Sequence, residues 1–399
     1  MADLDAMLQQ QIQHAYENAP AVRQIMDDAG VSPDDILSVH DLVRIPVTSK
    51  DRLLEMQQQN PPFGGFLAVP LKNLRRIYLS PGPIYDPHGF GDEAVEEAAI
   101  ETFTEAGFTE NDIVLNTFMY HMVPAGLLMD AAMAHVGATV IPLGPGNIEL
   151  QIKVMFDLKV TAYVGTPSFL EMIYDKAAEM GIPAEAFPLQ KAFFSAEMYT
   201  RSQRDRFEGQ YGLLTSQAYA TADLGILAYE RPGRTGLYIP HNLIIQVCDP
   251  QTGVVLEHGQ VGEVVITTMN TSYPLIRFGT GDLSIMEIEI DEDGIEHRKL
   301  QGLLGRSGEA VKVRGMFLHP SALKQALADF DNIERFQAVV DREGTRDMVT
   351  LELLLSGGSV DPDLIVSAVR EAARLSINEV KVVDSIEGSR LVRDIRIFE

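Results

Sequence analysis

The chain contains one cysteine, Cys248, and no tryptophan. A single thiol cannot form an internal disulfide, and it excludes zinc sites built from several cysteines. Uninterrupted apolar stretches long enough to span a bilayer are also missing. The first residues, Met1-Ala-Asp-Leu-Asp, carry no basic segment followed by an apolar one, as a secretory leader would. We therefore expect a cytoplasmic protein without a membrane partner.

Basic residues are few relative to acidic ones: 32 lysines and arginines stand against 57 aspartates and glutamates, for a net charge of −25. Such a charge repels nucleic acids and anionic lipids at long range, so neither is expected as a partner. The ordinary consequence of this charge is solubility. An anionic ligand would need local cations, and the candidates are Arg75, Arg76, Arg277, Arg306, Lys312 and Arg314.

The length of 399 residues predicts a large domain and a small one, because single cores rarely grow so large. Strand and helix patterns alternate from about residue 111 to 195, at the spacing of βαβ units in a parallel sheet. We predict an α/β protein with a large domain over 1–306, which includes a β-rich subdomain at about 236–300. Residues 307–399 are predicted to form a small α+β domain.

Two long motifs lie close together late in the sequence. The first is Tyr273-Pro-Leu-Ile-Arg-Phe-Gly-Thr-Gly-Asp282, and the second extends from Leu304-Gly-Arg-Ser-Gly308 to His319-Pro-Ser321. The glycines of the first motif permit a sharp reversal of the backbone, which would leave Asp282 at the mouth of a loop. A carboxylate in that position is able to face a ligand.

These motifs resemble, in order and spacing, those of the adenylate-forming ligases that make acyl-CoA through an acyl-AMP. The most similar branch is that of the phenylacetate–CoA ligases, where the motifs read P-L-I-R-Y-R-T-G-D and G-R-S-D-D-x-x-x-x-R-G-x-N-V-x-P-S. The resemblance covers nearly the whole chain and implies a mobile C-terminal lid. It also implies a small carboxylic acid as substrate, ATP (released as AMP) and coenzyme A as co-substrates, Mg²⁺, and a homodimer like those common among relatives.

The resemblance assigns roles to residues of this sequence. The segment Tyr219-Ala-Thr-Ala-Asp223 corresponds to the family's Y-G-x-S-E, so Tyr219 would stack on adenine beside Ala220, and Asp223 would hold Mg²⁺. The other nucleotide-binding residues that it implies are Ser195, Ala196 and Glu197 at the adenine, Asp282 at the ribose hydroxyls, and Arg277. Arg306 would position a phosphate or carboxylate during catalysis.

Three segments depart from the family's pattern. The phosphate loop, S-S-G-T-T-G-x-P in the family, is replaced by Ser80-Pro-Gly82-Pro-Ile-Tyr-Asp-Pro87. Only Ser80, Gly82 and Pro87 match it, and the prolines in between lack an N–H group that could donate to a phosphate. Near the C-terminus Arg390 stands where a catalytic lysine is usual, and Gly308 occupies the hinge position of an aspartate. Adenylation by ATP is therefore expected to be impaired.

The acyl pocket is expected at the ends of two strands, and its candidate residues are Phe118, Tyr120, His121, Met122, Gly165 and Thr166. An apolar or aromatic acid would suit these side chains, although ordinary packing at a strand end explains them equally well. The branch often carries a zinc site flanked by cysteines in its β-rich region. Because Cys248 is the only cysteine and Tyr238 replaces the histidine, no zinc is expected.

Two functional hypotheses follow from the resemblance. The leading one is an AMP-forming ligase that activates an aromatic or other apolar acid and transfers it to coenzyme A. The alternative is a relative that binds a nucleotide, an acyl-adenylate or an aromatic ligand without catalysis, or that performs only the second half-reaction. The altered phosphate loop and the missing lysine favour the alternative, whereas the intact adenine and ribose motifs favour nucleotide binding in either case.

Overall fold

A computed structural model of the chain describes residues 2–80, 83–90, 92–306, 311–314, 316–318, 320–343, 346–373, 375–388 and 390–396. The chain divides into two compact units, Met1–Gly305 and Arg306–Glu399. This division lies beside the domain boundary expected after residue 306. Whether the two units behave as independent domains stays a prediction.

The helices of the first unit are α1 (Ala2–Asn18), α2 (Pro20–Asp28), α3 (Lys50–Gln59), α4 (Glu93–Glu105), α5 (Ala125–His135), α6 (Ile148–Asp157), α7 (Pro167–Glu179) and α8 (Arg201–Arg204). Its strands are β1 (Thr48–Ser49), β2 (Leu74–Ser80), β3 (Ile84–Gly89), β4 (Ile113–Asn116), β5 (Thr139–Ile141), β6 (Ala162–Gly165), β7 (Lys191–Phe194), β8 (Leu214–Thr221), β9 (Gly225–Tyr229), β10 (Leu237–Tyr238), β11 (Ile244–Cys248), β12 (Val261–Thr267), β13 (Phe278–Ile290) and β14 (Glu296–Leu300). Short 3₁₀ helices cover Pro33–Asp35, Val39–Arg44, Leu71–Asn73 and Ala184–Ala186, and a π-helical segment covers Asp205–Gln210.

Five strands form the parallel part of the main sheet, in the order β5-β4-β6-β7-β8. Successive side chains on a strand point to opposite faces, and both faces are buried here. Val114 and Val164 pack with α4 and α5 in one core, whereas their strand neighbours Leu115 and Tyr163 pack with α6 and α7 in another. This is the α/β architecture that the alternating segments predict.

The sheet continues from β8 through antiparallel strands, in the order β8-β9-β10-β14-β13-β12-β11. No helix lies between residues 237 and 300, all of which are described, so the expected β-rich region is present. The short strand β1 pairs in parallel with the start of β13, which joins Thr48 to Phe278 and Ser49 to Gly279.

Helix caps occur where the sequence predicts them. Ser49 caps α3 by accepting a hydrogen bond from the Arg52 amide, and Thr166 caps α7 by accepting one from the Phe169 amide. Both caps follow directly on a strand. The polypeptide therefore turns from strand to helix at residues 49 and 166, near the edge where the functional residues are found.

The second unit contains β15 (Gly305–Arg306), β16 (Val311–Val313), β17 (Met316–Leu318), α9 (Pro320–Leu327), β18 (Ile333–Glu343), β19 (Arg346–Leu355), α10 (Pro362–Ala373), β20 (Glu379–Val382) and β21 (Val392–Asp394). Its sheet has the order β20-β19-β18-β21, and α9 and α10 share one apolar core with it. The expected small α+β unit is thus present. In the described part of the chain, no helix is long and apolar enough to cross a bilayer.

Arg277 holds the base of β13 in the interior of the first unit. Only 1% of the residue is exposed, and its backbone has a left-handed φ of 48°. Its guanidinium donates hydrogen bonds to the carbonyl oxygens of Ile45 (2.6 Å), Gly253 (2.6 Å) and Val43 (3.3 Å), to Oε1 of Gln246 (3.1 Å) and to Sγ of Cys248 (3.2 Å). Arg277 is therefore a structural residue, which corrects the expectation that it binds nucleotide.

We predict that Arg277→Met lowers the free energy of unfolding by about 3 kcal/mol, because each buried carbonyl left without a donor costs roughly 1–3 kcal/mol and the removed guanidinium offsets part of that loss. Arg277→Lys should lose less, since an ammonium keeps the charge but not the planar fork. Urea unfolding measures both variants. Arg234, whose side chain is 60% exposed, is the control. If Arg277→Met and Arg234→Met have equal effects, the structural role is wrong.

Candidate functional site

The carboxyl ends of the parallel strands gather most of the predicted residues along one edge of the sheet. Gly165 ends β6, Ser195 follows β7, and Tyr219 lies near the end of β8. Parallel strands place their carboxyl ends together, and ligands of open α/β sheets bind at this edge. The fold thus brings together residues that are separated by more than fifty positions in the sequence.

The turn after β7 has an unusual backbone. Ser195 is 3% exposed and its hydroxyl donates to the carbonyl oxygen of Ala218, 2.9 Å away. Ala196 adopts φ 71°, a conformation that is uncommon for a residue with a Cβ. Glu197 is exposed and accepts a hydrogen bond from the Ser168 hydroxyl at 2.5 Å. Strained turns of this kind concentrate at ligand sites, which agrees with the role that the resemblance implies for residues 195–197.

Tyr219 and Asp282 contact each other directly. The tyrosine hydroxyl donates a hydrogen bond of 2.8 Å to Oδ2 of the carboxylate, and both residues are mostly buried, with 6% and 9% exposed. Three strands separate β8 from β13 in the order of the sheet, so the antiparallel part must curl to bring them together. A shift in register between Tyr219 and Ala220 marks a β-bulge at this point, and such bulges often lie beside active sites.

Asp282 lies at a bulge within β13, and the neighbouring strand β12 holds this bulge in place. The Gly281 amide donates to Oε1 of Glu263 at 2.9 Å, and the Thr280 hydroxyl donates to the Val264 carbonyl oxygen at 2.9 Å. Gly281 has φ 76°, which glycine adopts without strain. The expectation of a sharp reversal before Asp282 is therefore wrong: β13 runs without a break from Phe278 to Ile290, and the glycines permit a bulge within it.

A β-hairpin occupies the position expected for the phosphate loop. Strands β2 and β3 pair in antiparallel register up to Ser80 and Ile84. Gln57 clamps the hairpin by accepting from the Tyr85 amide at 2.9 Å and donating to the Tyr85 carbonyl at 2.8 Å. The Leu79 amide donates to the Met122 carbonyl oxygen at 2.7 Å. Two amides of these strands, those of Leu79 and Tyr85, are thus bonded within the protein.

Two carboxylates and a lysine meet beside this hairpin. The Lys50 ammonium lies 2.6 Å from Oδ2 of Asp223, and the two side chains are 14% and 2% exposed. Asp86 is 1% exposed and accepts a hydrogen bond from the Ser80 hydroxyl. Burial, and then the negative charge of Asp223, raise the pKa of Asp86 well above its usual range, although Lys50 opposes that shift. Asp86 therefore keeps its proton to a higher pH than an exposed aspartate does.

The predicted magnesium site at Asp223 fits these residues poorly. One oxygen of Asp223 already faces the Lys50 ammonium, and in the described residues no group of three or more His, Cys, Asp or Glu side chains is arranged to hold a metal ion. One carboxylate with waters and substrate phosphates is often enough to hold Mg²⁺, so it is the ammonium of Lys50 beside Asp223 that disfavours this site. We derive no step through Mg²⁺, and the role of Asp223 as a metal ligand stays a sequence-based prediction.

The predicted pocket residues lie in different surroundings. Phe118 is 6% exposed and packs in the core with α4 and α5, so it is a core residue, which corrects its assignment to the pocket. The Tyr120 hydroxyl donates to Asp130 at 2.8 Å. Gly165 has no room for a side chain, since a Cβ there would lie 2.0 Å from Oγ1 of Thr117.

Three further pocket candidates stay predictions. His121 and Met122 are exposed, and Met122 has φ 60°. Thr166 uses its hydroxyl as the cap of α7.

The remaining predicted residues lie in the second unit or outside the described residues. Arg306 and Arg390 are in the second unit, where Arg390 is exposed and its carbonyl oxygen accepts from Gln337 at 2.6 Å. Gly82 and Gly308 lie outside the described residues. Their proposed roles rest on the sequence alone.

Sequence reasoning missed Lys50, Gln57 and Asp86. The segment Thr48-Ser-Lys50 predicts only a helix cap, and Asp86 lies in a loop that is notable for its mismatches. The partners of Lys50 and Gln57 are 173 and 28 residues away along the chain. One signal could have pointed to Lys50. It directly follows the capping residue Ser49, and the short strand before it pairs with the start of the Asp282 motif.

The comparisons with known proteins agree on one group of enzymes. Residues 94–272 match the AMP-binding enzyme family. The phenylacetate–coenzyme A ligase of Thermus thermophilus is 28% identical over 360 residues, which cover 88% of this chain and 80% of the relative, and that of Escherichia coli is 27% identical over 362 residues, which cover 88% and 81%. A 2-hydroxyisobutyryl-CoA ligase solved with 2-HIB-AMP and CoA has a TM-score of 0.87 at 25% identity, covering 99% of this chain and 89% of that one.

We predict that Asp86→Asn makes stability less dependent on pH. The folded protein raises the pKa of Asp86, so the contribution of Asp86 to stability is complete below the unfolded pKa of about 3.9 and is lost as pH rises through the folded value. The difference in free energy of unfolding, Asp86→Asn minus wild type, should therefore increase from about pH 5 to about pH 8. Urea titrations at both pH values measure it. Glu55→Gln, at an exposed position on α3, is the control; an unchanged or falling difference for Asp86→Asn contradicts the prediction.

Proposed function

We propose that this chain, which is similar to the phenylacetate–CoA ligases among the adenylate-forming enzymes, binds an apolar carboxylic acid as its acyl-adenylate and transfers the acyl group to coenzyme A. In the complete reaction a carboxylate oxygen attacks the α-phosphorus of ATP and pyrophosphate leaves. The thiol sulfur of coenzyme A then attacks the acyl carbonyl, loses its proton, and AMP leaves. The protein's task in both steps is to hold the adenylate in position.

The contact between Tyr219 and Asp282 is the observation that carries this proposal. A purine ring is held well by a flat aromatic side chain, and ribose hydroxyls donate to a carboxylate. We propose that Tyr219 lies against the adenine and that Asp282 binds the ribose. The 2.8 Å hydrogen bond between them would fix the carboxylate before a ligand arrives. Ser195, Ala196, Glu197 and Ala220 complete the proposed adenine site.

The proposed acid is apolar, and its carboxylate end faces the same edge of the sheet. Gly165 ends β6 at that edge, where Thr117 and Tyr163 fill the space that a side chain would take, and Tyr120, His121, Met122 and Thr166 lie on the neighbouring segments. The relatives named above act on phenylacetate, and the solved structure on 2-hydroxyisobutyrate, both small acids without a second charge. A small monocarboxylic acid with an aromatic or branched body is therefore the substrate class that we propose.

A second candidate is a protein that performs only the transfer from a supplied acyl-adenylate, or that binds one without reaction. The hairpin of β2 and β3 supports it, because the amides of Leu79 and Tyr85 are bonded within the protein. A triphosphate needs such donors, whereas an adenylate carries a single phosphate with one negative charge. Lys50, whose ammonium lies 2.6 Å from Oδ2 of Asp223, supplies positive charge for this phosphate.

We predict that Asp282→Asn weakens AMP binding about tenfold, because the charged acceptor for the ribose hydroxyls is lost. Tyr219→Phe should weaken it about threefold, since the ring remains and only the hydrogen bond to Asp282 disappears. Isothermal titration measures both. Tyr16 is the matched control, because its hydroxyl donates to Asp27 at 2.7 Å on the protein surface. Equal affinities for wild type, Asp282→Asn and Tyr16→Phe would refute the proposed ribose site.

A pair of assays separates the two candidate functions. Pyrophosphate release from ATP with a panel of small aromatic and branched acids reports adenylation. Acyl-CoA formation from synthetic acyl-adenylates of the same acids reports transfer alone. From the bonded amides of the hairpin we expect transfer to be at least about a hundredfold faster than adenylation for the best acid. Equal rates would favour the complete ligase, whereas neither pyrophosphate release nor acyl-CoA formation would leave a binding protein.

A further inference from the structure

The ion pair between Lys50 and Asp223 lies at an unusual place for a purely structural contact. Lys50 is the first residue of α3 and directly follows β1. Strand β1 pairs with residues 278 and 279 at the start of β13, the strand that carries Asp282. Its ammonium is thereby carried to the end of β8, where Asp223 follows Tyr219 by four residues. The pair is therefore connected to both parts of the proposed adenylate site. Lys50 is joined through β1 to the strand of Asp282, and Asp223 follows β8, the strand of Tyr219.

The surroundings of this pair are short of positive charge. Asp86 and Asp223 are both at least nine-tenths buried, and Oδ1 of each is buried without a hydrogen-bond partner. The hydroxyl of Ser80 is turned to Asp86. Two carboxyl groups thus share one described ammonium, and buried carboxyl groups require either a proton or a cation.

We propose that Lys50 is the built-in cation of the adenylate site, and that the protein consequently binds AMP and acyl-adenylates without a divalent metal ion. This inference rests on the proposed function, because it assumes that an adenylate binds beside Tyr219 and Asp282. A metal ion ligated by Asp223 would lie close to the ammonium and be repelled by it. The ammonium, in contrast, is already fixed by Asp223 and adds positive charge near the expected phosphate.

The test is a titration of the full chain with AMP, once in excess EDTA and once in excess Mg²⁺. We expect the two dissociation constants of the wild type to differ by less than about twofold. Lys50→Met should weaken binding in EDTA by about tenfold or more, and Lys50→Arg, which keeps the charge, by less than about threefold. Added Mg²⁺ should restore part of the affinity of Lys50→Met, because the place beside Asp223 becomes open to it.

The chain offers a matched control in Lys191 and Asp112. This pair has the same kind of contact, with Nζ 2.9 Å from Oδ2 and side chains 15% and 5% exposed. It lies at the opposite edge of the parallel sheet, because Lys191 begins β7 and Asp112 precedes β4. Lys191→Met removes a half-buried ammonium in the same way, so we expect it to lower stability without changing the affinity for AMP. Thermal unfolding of each variant identifies any that do not fold.

The outcomes distinguish this inference from the proposed function. Wild-type binding of AMP only in Mg²⁺ would overturn the inference and leave the adenylate site standing. Equal weakening by Lys50→Met and Lys191→Met would also overturn it, because the effect would then be structural. Failure of the wild type to bind AMP under either condition would refute the proposed function itself. If Lys50→Met does not fold, the comparison of the wild type in EDTA and in Mg²⁺, with Lys50→Arg, still decides the question.

Discussion

The hydrogen bond between Tyr219 and Asp282 is the interaction on which the site depends. It joins the last parallel strand, β8, to β13, although three other strands lie between them in the sheet. The sheet can curl this far because its antiparallel part contains a bulge at Tyr219 and a second one on β13, just before Asp282. Arg277, at the base of β13, bonds to the carbonyl oxygen of Ile45, and Glu263 accepts from the Gly281 amide within the second bulge. The rigidity of the proposed ribose site thus comes from buried polar contacts outside it.

The hairpin β2–β3 lies where the related enzymes have a phosphate-binding loop, and it differs from such a loop in how its amides are bonded. A loop that wraps phosphates offers free amide donors, whereas a hairpin satisfies its amides internally. In this hairpin the Tyr85 amide donates a hydrogen bond to the side chain of Gln57, and the Leu79 amide donates one to the carbonyl oxygen of Met122. In a chain with a net charge of −25, the charge of Lys50 beside Asp223 then becomes important for any anionic ligand. These contacts support the proposal that the site holds a monophosphate and not a triphosphate.

The fold follows from the sequence to a large extent, because its determinants are local. Apolar strands alternating with helices predict the parallel sheet, and Ser49 and Thr166 cap helices where expected. The adenine and ribose residues are predicted through two motifs whose order along the chain is preserved. Roles that depend on distant partners are not predicted. Arg277 resembles a ligand-binding residue until its contacts with Val43, Ile45 and Gly253 are known, and Phe118 joins the core because of helices α4 and α5.

Lys50 and Asp86 are residues that the sequence does not predict at the site. Neither lies in a motif, and their relation to Asp223 arises only when α3, the hairpin and β8 come together.

The most direct test of the account is a crystal structure of the full chain grown with AMP at about 5 mM, well above an expected dissociation constant in the micromolar range. The account predicts adenine against the Tyr219 ring and ribose hydroxyls bonded to Asp282. AMP bound elsewhere, or a site at these residues that stays empty at that concentration, would contradict it.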